Sequence, residues 1–262
     1  MNSISRASAI IGLAGSMAFT PFTAQAEEGG WEFSVAPLYL WAKNIEGVAT
    51  AGGKDLPLEL DFTDEILENL DAAFAIHMEA TNGQLTFFAE YNYAKLDPTV
   101  ENYIGPIEVQ GNVDFKDTMM EGGIAWTFAD ARSTRWEVLG GLRYYDQDIT
   151  VKFSNSASID TPLPSRLDVG DSWMQPFVGL RTSTTLSKRW SLRLRADYGY
   201  EGSDNTALQG IGFFDYRFRD WGSAFFGYRY LDMDYDNKTS GFDQYAFDGE
   251  QQGPLIGLNF YF

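Results

Sequence analysis

The chain has 262 residues, of which 16% are aromatic and 26 are Gly, and its mean hydropathy is −0.25, a value too low for a helical membrane protein. Its net charge is −18, from 37 acidic and 19 basic residues, which excludes binding to nucleic acid through phosphate contacts. Cysteine is absent, which excludes disulfides and thiolate metal sites. This composition favours one all-β unit with an apolar and a polar face.

The first 26 residues have the composition of a secretory signal peptide. Arg6 precedes an apolar run at 7–19 that is too short to span a membrane, and small residues at 24–26 form a cleavage site. A buried N-terminal helix is the alternative interpretation. We expect residues 1–26 to be removed and residues 27–262 to form one domain.

Residues 27–262 show strands separated by alternately short and long connections. Asn82-Gly83, the strongest short hairpin signal, joins the second and third strands. Ten strands are predicted, with eight as the alternative, and the ten cover about 31–43, 72–81, 84–96, 119–128, 136–153, 174–186, 190–201, 206–218, 221–236 and 254–262. The long connections are expected at about 42–71, 97–118, 154–173 and 237–250. An even number of antiparallel strands places the short turns and both ends of the chain on the same side of a barrel.

The last predicted strand alternates strictly between an apolar and a mixed face. Pro254, Ile256, Leu258, Phe260 and Phe262 share the apolar face. Such a strand would promote aggregation at the edge of a soluble sheet, whereas it can close a barrel. Phe260 and Phe262 resemble the C-terminal assembly signal of bacterial outer-membrane β-barrels.

Three further motifs extend this resemblance: Phe218-Arg219-Asp220-Trp221, GYRYLDMDYD at 227–236 and GPLIGL at 253–258. They resemble a largely uncharacterised group of small Gram-negative outer-membrane barrels of the OmpA/porin-like kind. The resemblance implies a transmembrane antiparallel up-and-down β-barrel over residues 27–262, with short periplasmic turns and long outer loops. It also implies three partners: outer-membrane lipid, lipopolysaccharide and the barrel assembly machinery.

Four predicted strands begin with Trp, namely Trp31, Trp136, Trp190 and Trp221. In a barrel these indoles lie at one height and form a periplasmic aromatic girdle. A soluble β-sandwich, the alternative, would scatter them through its core. Alternation in the first strand places Tyr39 on the same face as Trp31.

The same alternation predicts which charged side chains point into the barrel. They are His77, Glu79, Glu90, Glu121, Arg143, Arg181, Arg193, Arg195, Asp197, Asp215, Arg217 and Arg229. The lumen of a ten-stranded barrel is only slightly wider than one that side chains fill. Two interpretations use these residues: a salt-bridged plug that passes only water and small ions, or a narrow selective pore lined by arginines.

Two features of the predicted outer loops stand out. Residues 62–71 predict a short amphipathic helix capped by Thr63, lying on the outer rim rather than folding inward as a lid. Asp232, Asp234 and Asp236 point the same way and are candidates for a divalent cation shared with lipopolysaccharide phosphates, or else form a solvated acidic rim. No other cofactor is expected.

Enzymatic activity is not expected. The one histidine, His77, lies mid-strand and inward, whereas omptin-type barrel proteases pair a His with several Asp at the outer rim and barrel lipid A deacylases place theirs toward lipid. Three functions remain: a structural or porin-like barrel with narrow passive permeation at most, a surface binding or adhesion module acting through acidic outer loops, and, last, an outer-membrane hydrolase.

Overall fold

The computed structural model describes residues 30–51, 54–66, 68–97, 99–104, 107–154 and 166–262. The predicted signal peptide, residues 1–26, lies outside the described residues, and so does most of the predicted loop at 154–173. No helix within the described ranges is long and apolar enough to cross a membrane.

Thirteen strands and two short helical segments make up the described chain. The strands are β1 (Glu32–Trp41), β2 (Asn44–Ala51), β3 (Lys54–Leu60), β4 (Leu70–Thr81), β5 (Leu85–Leu96), β6 (Thr99–Ile104), β7 (Ile107–Ala131), β8 (Thr134–Ser154), β9 (Arg166–Thr185), β10 (Trp190–Tyr200), β11 (Asn205–Arg219), β12 (Gly222–Asp236) and β13 (Tyr245–Tyr261). A π-helical turn spans Phe62–Ile66 and a 3-10 turn spans Gly241–Asp243.

Ten of these strands close into a barrel in the order β1-β4-β5-β7-β8-β9-β10-β11-β12-β13, with every neighbouring pair antiparallel. The barrel closes where β13 pairs with β1, and Val35 lies opposite Phe260 in this register. Backbone bonds of 3.1 and 2.8 Å between Phe33 and Phe262 complete the seam. The predicted ten-stranded up-and-down barrel is therefore confirmed.

The two ends of the barrel differ in their connections. Tight turns at Asn82-Gly83, 132–133, 186–189 and 220–221 lie at one end, here called the turn end. Gly83 has φ +88°, the left-handed conformation that this hairpin turn requires. The opposite end, here called the loop end, carries the longer connections.

Strands extend further at the loop end than the sequence predicted. The predicted loop at 42–71 contains the hairpin of β2 and β3, which adds to the upper half of β13, and part of 97–118 forms β6, which adds to β7. The segment at 44–51 forms a strand because its side chains alternate. Ile45 and Ala49 are buried whereas Glu46 and Val48 are exposed, which is the pattern of a half-buried strand.

The outer surface carries an apolar band and a ring of tryptophans. Trp31, Trp136, Trp190 and Trp221, the predicted girdle, are all exposed near the turn end, and Trp126 joins them with 54% of its surface exposed. The other two tryptophans, Trp41 and Trp173, pack inside the barrel.

The predicted facing of β1 is wrong from Tyr39 onward. A register shift between Val35 and Leu38 reverses the alternation, so that Tyr39 points into the lumen while Leu38 is exposed. A β-bulge places one extra residue in a strand and thereby moves the following side chains to the opposite face.

Two glycines make room for aromatic rings inside the barrel. Gly123 and Gly141 lie opposite each other on β7 and β8. A Cβ atom at Gly141 would overlap the backbone of β7 and the ring of Phe177, and one at Gly123 would overlap Phe88. Close packing of the two rings therefore depends on these glycines.

We expect Gly141→Ala to lower the free energy of unfolding by about 1–3 kcal/mol, because overpacking forces backbone or ring displacement. The urea midpoint of the refolded barrel measures this effect. Gly210→Ala is the matched control, since nothing lies within 4 Å of a Cβ at that position. Equal midpoints for the two variants would contradict the packing argument.

Candidate functional site

The lumen is the candidate site, and it is filled in three layers. An apolar cluster occupies the loop end, a network of charged side chains occupies the middle, and a cavity opens at the turn end. Each layer is built from side chains that alternate inward along the barrel strands.

The centre of the network is Arg143 of β8, whose side chain is fully buried. Its Nη2 donates to Glu121 and to Asp197, both at 2.7 Å. Arg195 donates to the second oxygen of Glu121 at 2.5 Å and lies 2.8 Å from Asp197. Two bases and two acids thus neutralise one another out of contact with water.

A second group of ion pairs lies closer to the turn end. Arg181 binds Glu137 through two parallel hydrogen bonds of 2.7 and 3.0 Å, and its third bond, 2.6 Å long, reaches Glu79. Arg193 donates to the same Glu79 oxygen at 3.0 Å. The paired, planar geometry with Glu137 is the strongest form of such a contact.

His77 belongs to this network. Its two ring nitrogens lie 3.1 Å from Glu90 and 3.2 Å from Glu79, and its ring stacks on Tyr39 with centroids 5.1 Å apart. Glu90 also binds Arg229, which donates to Gln209 at 3.0 Å through Nε. The histidine is therefore enclosed between two carboxylates and an aromatic ring.

Aromatic rings reinforce the cations. The guanidinium of Arg143 lies 4.8 Å from the ring centre of Phe177, and Arg195 lies 5.2 Å from both Phe177 and Phe88. Such contacts stabilise a desolvated guanidinium. The glycine positions of β7 and β8 thus support the network by admitting these rings.

The structure brings together ten of the residues predicted to face the lumen: His77, Glu79, Glu90, Glu121, Arg143, Arg181, Arg193, Arg195, Asp197 and Arg229. The remaining two, Asp215 and Arg217, also face inward but lie apart at the turn end. Asp215 accepts from Ser223 at 2.6 Å, and Arg217 donates to the Asp220 carbonyl at 2.7 Å.

Sequence reasoning missed several members of the lumen. Glu137 has the same parity as Arg143 on β8, and Asp117 has the same parity as Glu121 on β7, so alternation could have found both. Lys43, which pairs with Asp117 and donates to Gln251 at 2.8 Å, follows the bulge of β1 and had no such signal.

The apolar cluster closes the lumen above the network. Trp173 stacks on Tyr235 with centroids 3.9 Å apart and on Tyr145 at 5.0 Å. Ile66, from the π-helical turn, is only 4% exposed and belongs to the same cluster. The turn is therefore a lid, and the expectation that it lies on the rim is wrong because the cluster offers it an apolar seat.

The predicted helix over 62–71 is wrong in its extent, because the helical turn spans Phe62–Ile66 and Leu70 begins β4, and its cap also differs from the prediction. The carboxylate of Asp61, not the Thr63 hydroxyl, caps the segment: Asp61 accepts hydrogen bonds from the backbone N–H and the hydroxyl of Thr63 at 2.8 and 2.6 Å.

Elsewhere at the loop end, a hydrogen bond from Lys238 lowers the pKa of the Asp204 carboxyl. This contact joins the connection after β12 to the connection after β10.

The turn-end cavity has a volume of about 340 Å³. Its apolar lining comes from Ala36, Tyr39, Ile211, Phe213 and Phe225, and from Trp190, the first residue of β10. Its polar lining comprises Glu32, Ser34, His77, Glu79, Arg181, Ser183, Thr185, Ser187, Lys188, Arg189, Ser191, Arg193, Arg195, Asp215, Arg217, Asn259 and Tyr261. The cavity ends at the charged network.

The three acids predicted to bind a cation lie on the outside of β12. Asp232 and Asp234 are exposed and lie opposite Glu250 and Asp248 of β13, and Asp236 follows on the same face. Within the described ranges no group of three or more His, Cys, Asp or Glu has an arrangement that could hold a metal ion. The cation site at these three carboxylates stays a prediction.

The fold defines the class: a closed antiparallel ten-stranded barrel of the outer-membrane type. The outer membrane protease OmpT of Escherichia coli has this fold, with a TM-score of 0.50 and 11% identity over 88% of this chain and 96% of that chain. At this identity the likeness extends to the fold alone.

Two further solved structures are similar at lower scores. The translocator domain of the autotransporter NalP of Neisseria meningitidis has a TM-score of 0.43 and 14% identity over 88% of this chain and 87% of that chain. Ail, the attachment invasion locus protein of Yersinia pestis, has a TM-score of 0.37 and 10% identity over 88% and 99%. No family model and no curated protein matches the chain.

The buried pair of Arg181 and Glu137 allows a direct test of the network. We expect Arg181→Met to lower the free energy of unfolding by about 3–5 kcal/mol, because it leaves the Glu137 carboxylate buried and unpaired. Urea unfolding of the refolded barrel measures the loss.

The double variant Arg181→Met with Glu137→Gln is the control. It removes the stranded charge, while Glu79 keeps Arg193 and His77 as partners. At least half of the lost stability should return. A double variant as unstable as the single one would show that the cost of Arg181→Met is not due to an unpaired carboxylate.

Proposed function

We propose that the protein is an integral outer-membrane barrel with a sealed lumen, serving a structural role in the envelope. The observation that carries the proposal is the pairing of the inward charges: Arg143 bridges Glu121 and Asp197 with every one of these side chains fully buried. A pore requires charges that meet water and passing ions, whereas these charges meet one another.

Membrane residence is supported by the outer surface. Large apolar side chains are exposed on many barrel strands, including Phe74, Ile124, Val178 and Phe226. Exposed tryptophans border this band near the turn end, where the amphipathic indole favours a lipid interface. The turn end then faces the periplasm and the loop end faces outward.

The apolar cluster gives the seal a second layer. Trp173, Tyr235 and Tyr145 form a continuous stack across the loop end of the lumen. The charged network and the apolar cluster each block the lumen, so either layer would still seal it without the other. We therefore propose that permeation of solutes is not the function of this barrel.

Single-channel recording in a planar bilayer tests the proposal. The refolded chain 27–262 should give no conductance steps, and Trp173→Ala should also remain silent because the charged network persists. A general porin in the same bilayer is the positive control, and retarded mobility without heating verifies that the barrel is folded. Steady openings in the parent, with ion selectivity altered by Arg143→Ala or Arg195→Ala, would contradict the proposal.

A second candidate function is binding of a cationic partner at the loop end. Strands β12, β13 and β2 continue as one sheet there, and their outer face carries Glu46, Asp232, Asp234, Asp248 and Glu250 in neighbouring register positions. This fixed negative surface favours a positively charged partner. A hydrolase remains the last candidate, because His77 is enclosed by the network.

We expect Glu46→Gln combined with Glu250→Gln to weaken binding of an oligolysine peptide about tenfold, measured by titration at low salt. The matched control is Asp146→Asn combined with Asp148→Asn, which removes two outward carboxylates from β8, a strand that does not pair with β12, β13 or β2. Equal weakening by both variants would show that the peptide responds to the net charge of the protein and does not bind at this surface.

A further inference from the structure

The turn-end cavity is not needed to seal the lumen and has the character of a ligand site. Its volume of about 340 Å³ lies within the range of small-molecule pockets. One part of its wall is apolar and the other is lined by cations and hydroxyl groups. A ligand suited to it carries both an apolar body and polar acceptors.

Charge distinguishes this cavity from the paired network above it. The basic lining residues are Arg181, Lys188, Arg189, Arg193, Arg195 and Arg217, whereas the acidic ones are Glu32, Glu79 and Asp215. Arg181 and Arg195 are neutralised by Glu137, Glu121 and Asp197, which do not line the cavity. The lining then keeps four other bases, Lys188, Arg189, Arg193 and Arg217, against the acids Glu32, Glu79 and Asp215.

Arg193 is the base best placed to receive an anion. A guanidinium carries five N–H donors, and Arg193 shares one oxygen of Glu79 with Arg181. Its side chain is one-third exposed at the cavity wall, with a relative exposure of 33%. Its guanidinium also lies 5.6 Å from the ring centre of Phe213, which joins the cationic and the apolar parts of the wall.

Arg195 belongs to the floor of the cavity and not to the ligand site. Its side chain is only 8% exposed and donates to Glu121. Its Nη2 is fully buried, so a ligand in the cavity does not contact it.

Arg217 supplies the outer edge of the site. The guanidinium of Arg217 lies 4.2 Å from the ring centre of Tyr261. It donates a hydrogen bond to the backbone carbonyl of Asp220, so its acceptor there is a neutral group and not a carboxylate. Ser183 and Ser191 line the same wall and provide hydroxyl donors. Ser183 lies opposite Arg193 on the neighbouring strand, so a neutral and a charged donor lie side by side at that point of the wall.

We propose that the turn-end cavity binds a small organic anion that enters from the turn end and carries a carboxylate or phosphate on an apolar body. The oxyanion lies at Arg193 and Ser183, Arg217 adds positive charge at the outer edge of the cavity beyond Asp215, and the apolar body rests on Phe213 and Phe225. The site is separate from any path through the barrel, because the charged network forms its floor.

Calorimetric titration of the refolded barrel in zwitterionic micelles tests the proposal. The probes are benzoate, phenyl phosphate, inorganic phosphate and the uncharged benzyl alcohol, each also titrated into empty micelles. We expect saturable binding of at least one aromatic anion, and comparison of benzoate with phenyl phosphate identifies which oxyanion the site prefers. Binding should weaken as salt rises.

Arg193→Gln should weaken the binding about tenfold, the effect of losing one charged hydrogen-bond donor, and Arg217→Gln should weaken it by a smaller factor because positive charge near the site is lost. Arg219→Gln is the matched control, a cation at the same end that does not line the cavity. Two Arg variants guard against a folding failure in one of them, and circular dichroism verifies the strand content of each.

Several outcomes would overturn the proposal. One is the absence of saturable binding of any anion by the folded parent. Others are equal binding of benzyl alcohol, or affinities that Arg193→Gln and Arg217→Gln leave unchanged. If inorganic phosphate binds as tightly as phenyl phosphate, the apolar body of the ligand contributes nothing to the affinity. The proposed ligand class would then be wrong.

Discussion

A ring of ten strands encloses a space that side chains can fill, so a charge buried at its centre must be neutralised by another charge pointing inward. The central network of this barrel follows from that constraint. Arg229 meets Glu90 although 139 residues separate them in the chain, and Arg193 meets Glu79 across 114 residues. The rings of Phe88 and Phe177 and the glycines beneath them complete the same arrangement by packing against the buried guanidinium groups.

The strand number, the inward charges and the exposed tryptophans follow from one regularity of the sequence, its period of two. This regularity fails where the backbone departs from it. The bulge after Val35 reverses the facing of Tyr39, and its one sequence signal is Pro37, which lies within it and has no N–H to donate to the sheet. The hairpin of β2 and β3 was hidden for a related reason: glycine, alanine and threonine weaken the contrast between its faces, so the segment resembles a loop.

The difference between a plug and a pore could not be decided from residue types, because both would use the same arginines and carboxylates. What separates them is pairing geometry: Arg181 reaches Glu137 on the neighbouring strand and Glu79 across the barrel with the same side chain. The seat of the lid is equally a property of the folded chain, since Ile66 meets residues from distant strands. Periodicity predicts the facing of a side chain, whereas its partners depend on strand tilt and register.

The pairing of β1 with β13 also has a consequence for the order of folding. Contacts between the first and last barrel strands have the longest sequence separation in the molecule, and such contacts are slow to form because a long loop must close first. Until they form, Glu90 on β5 and Arg229 on β12 belong to distant parts of an open sheet. An open sheet would present these charges to lipid without partners. Burial of the ion pairs and closure of the seam are therefore expected to occur as one cooperative event.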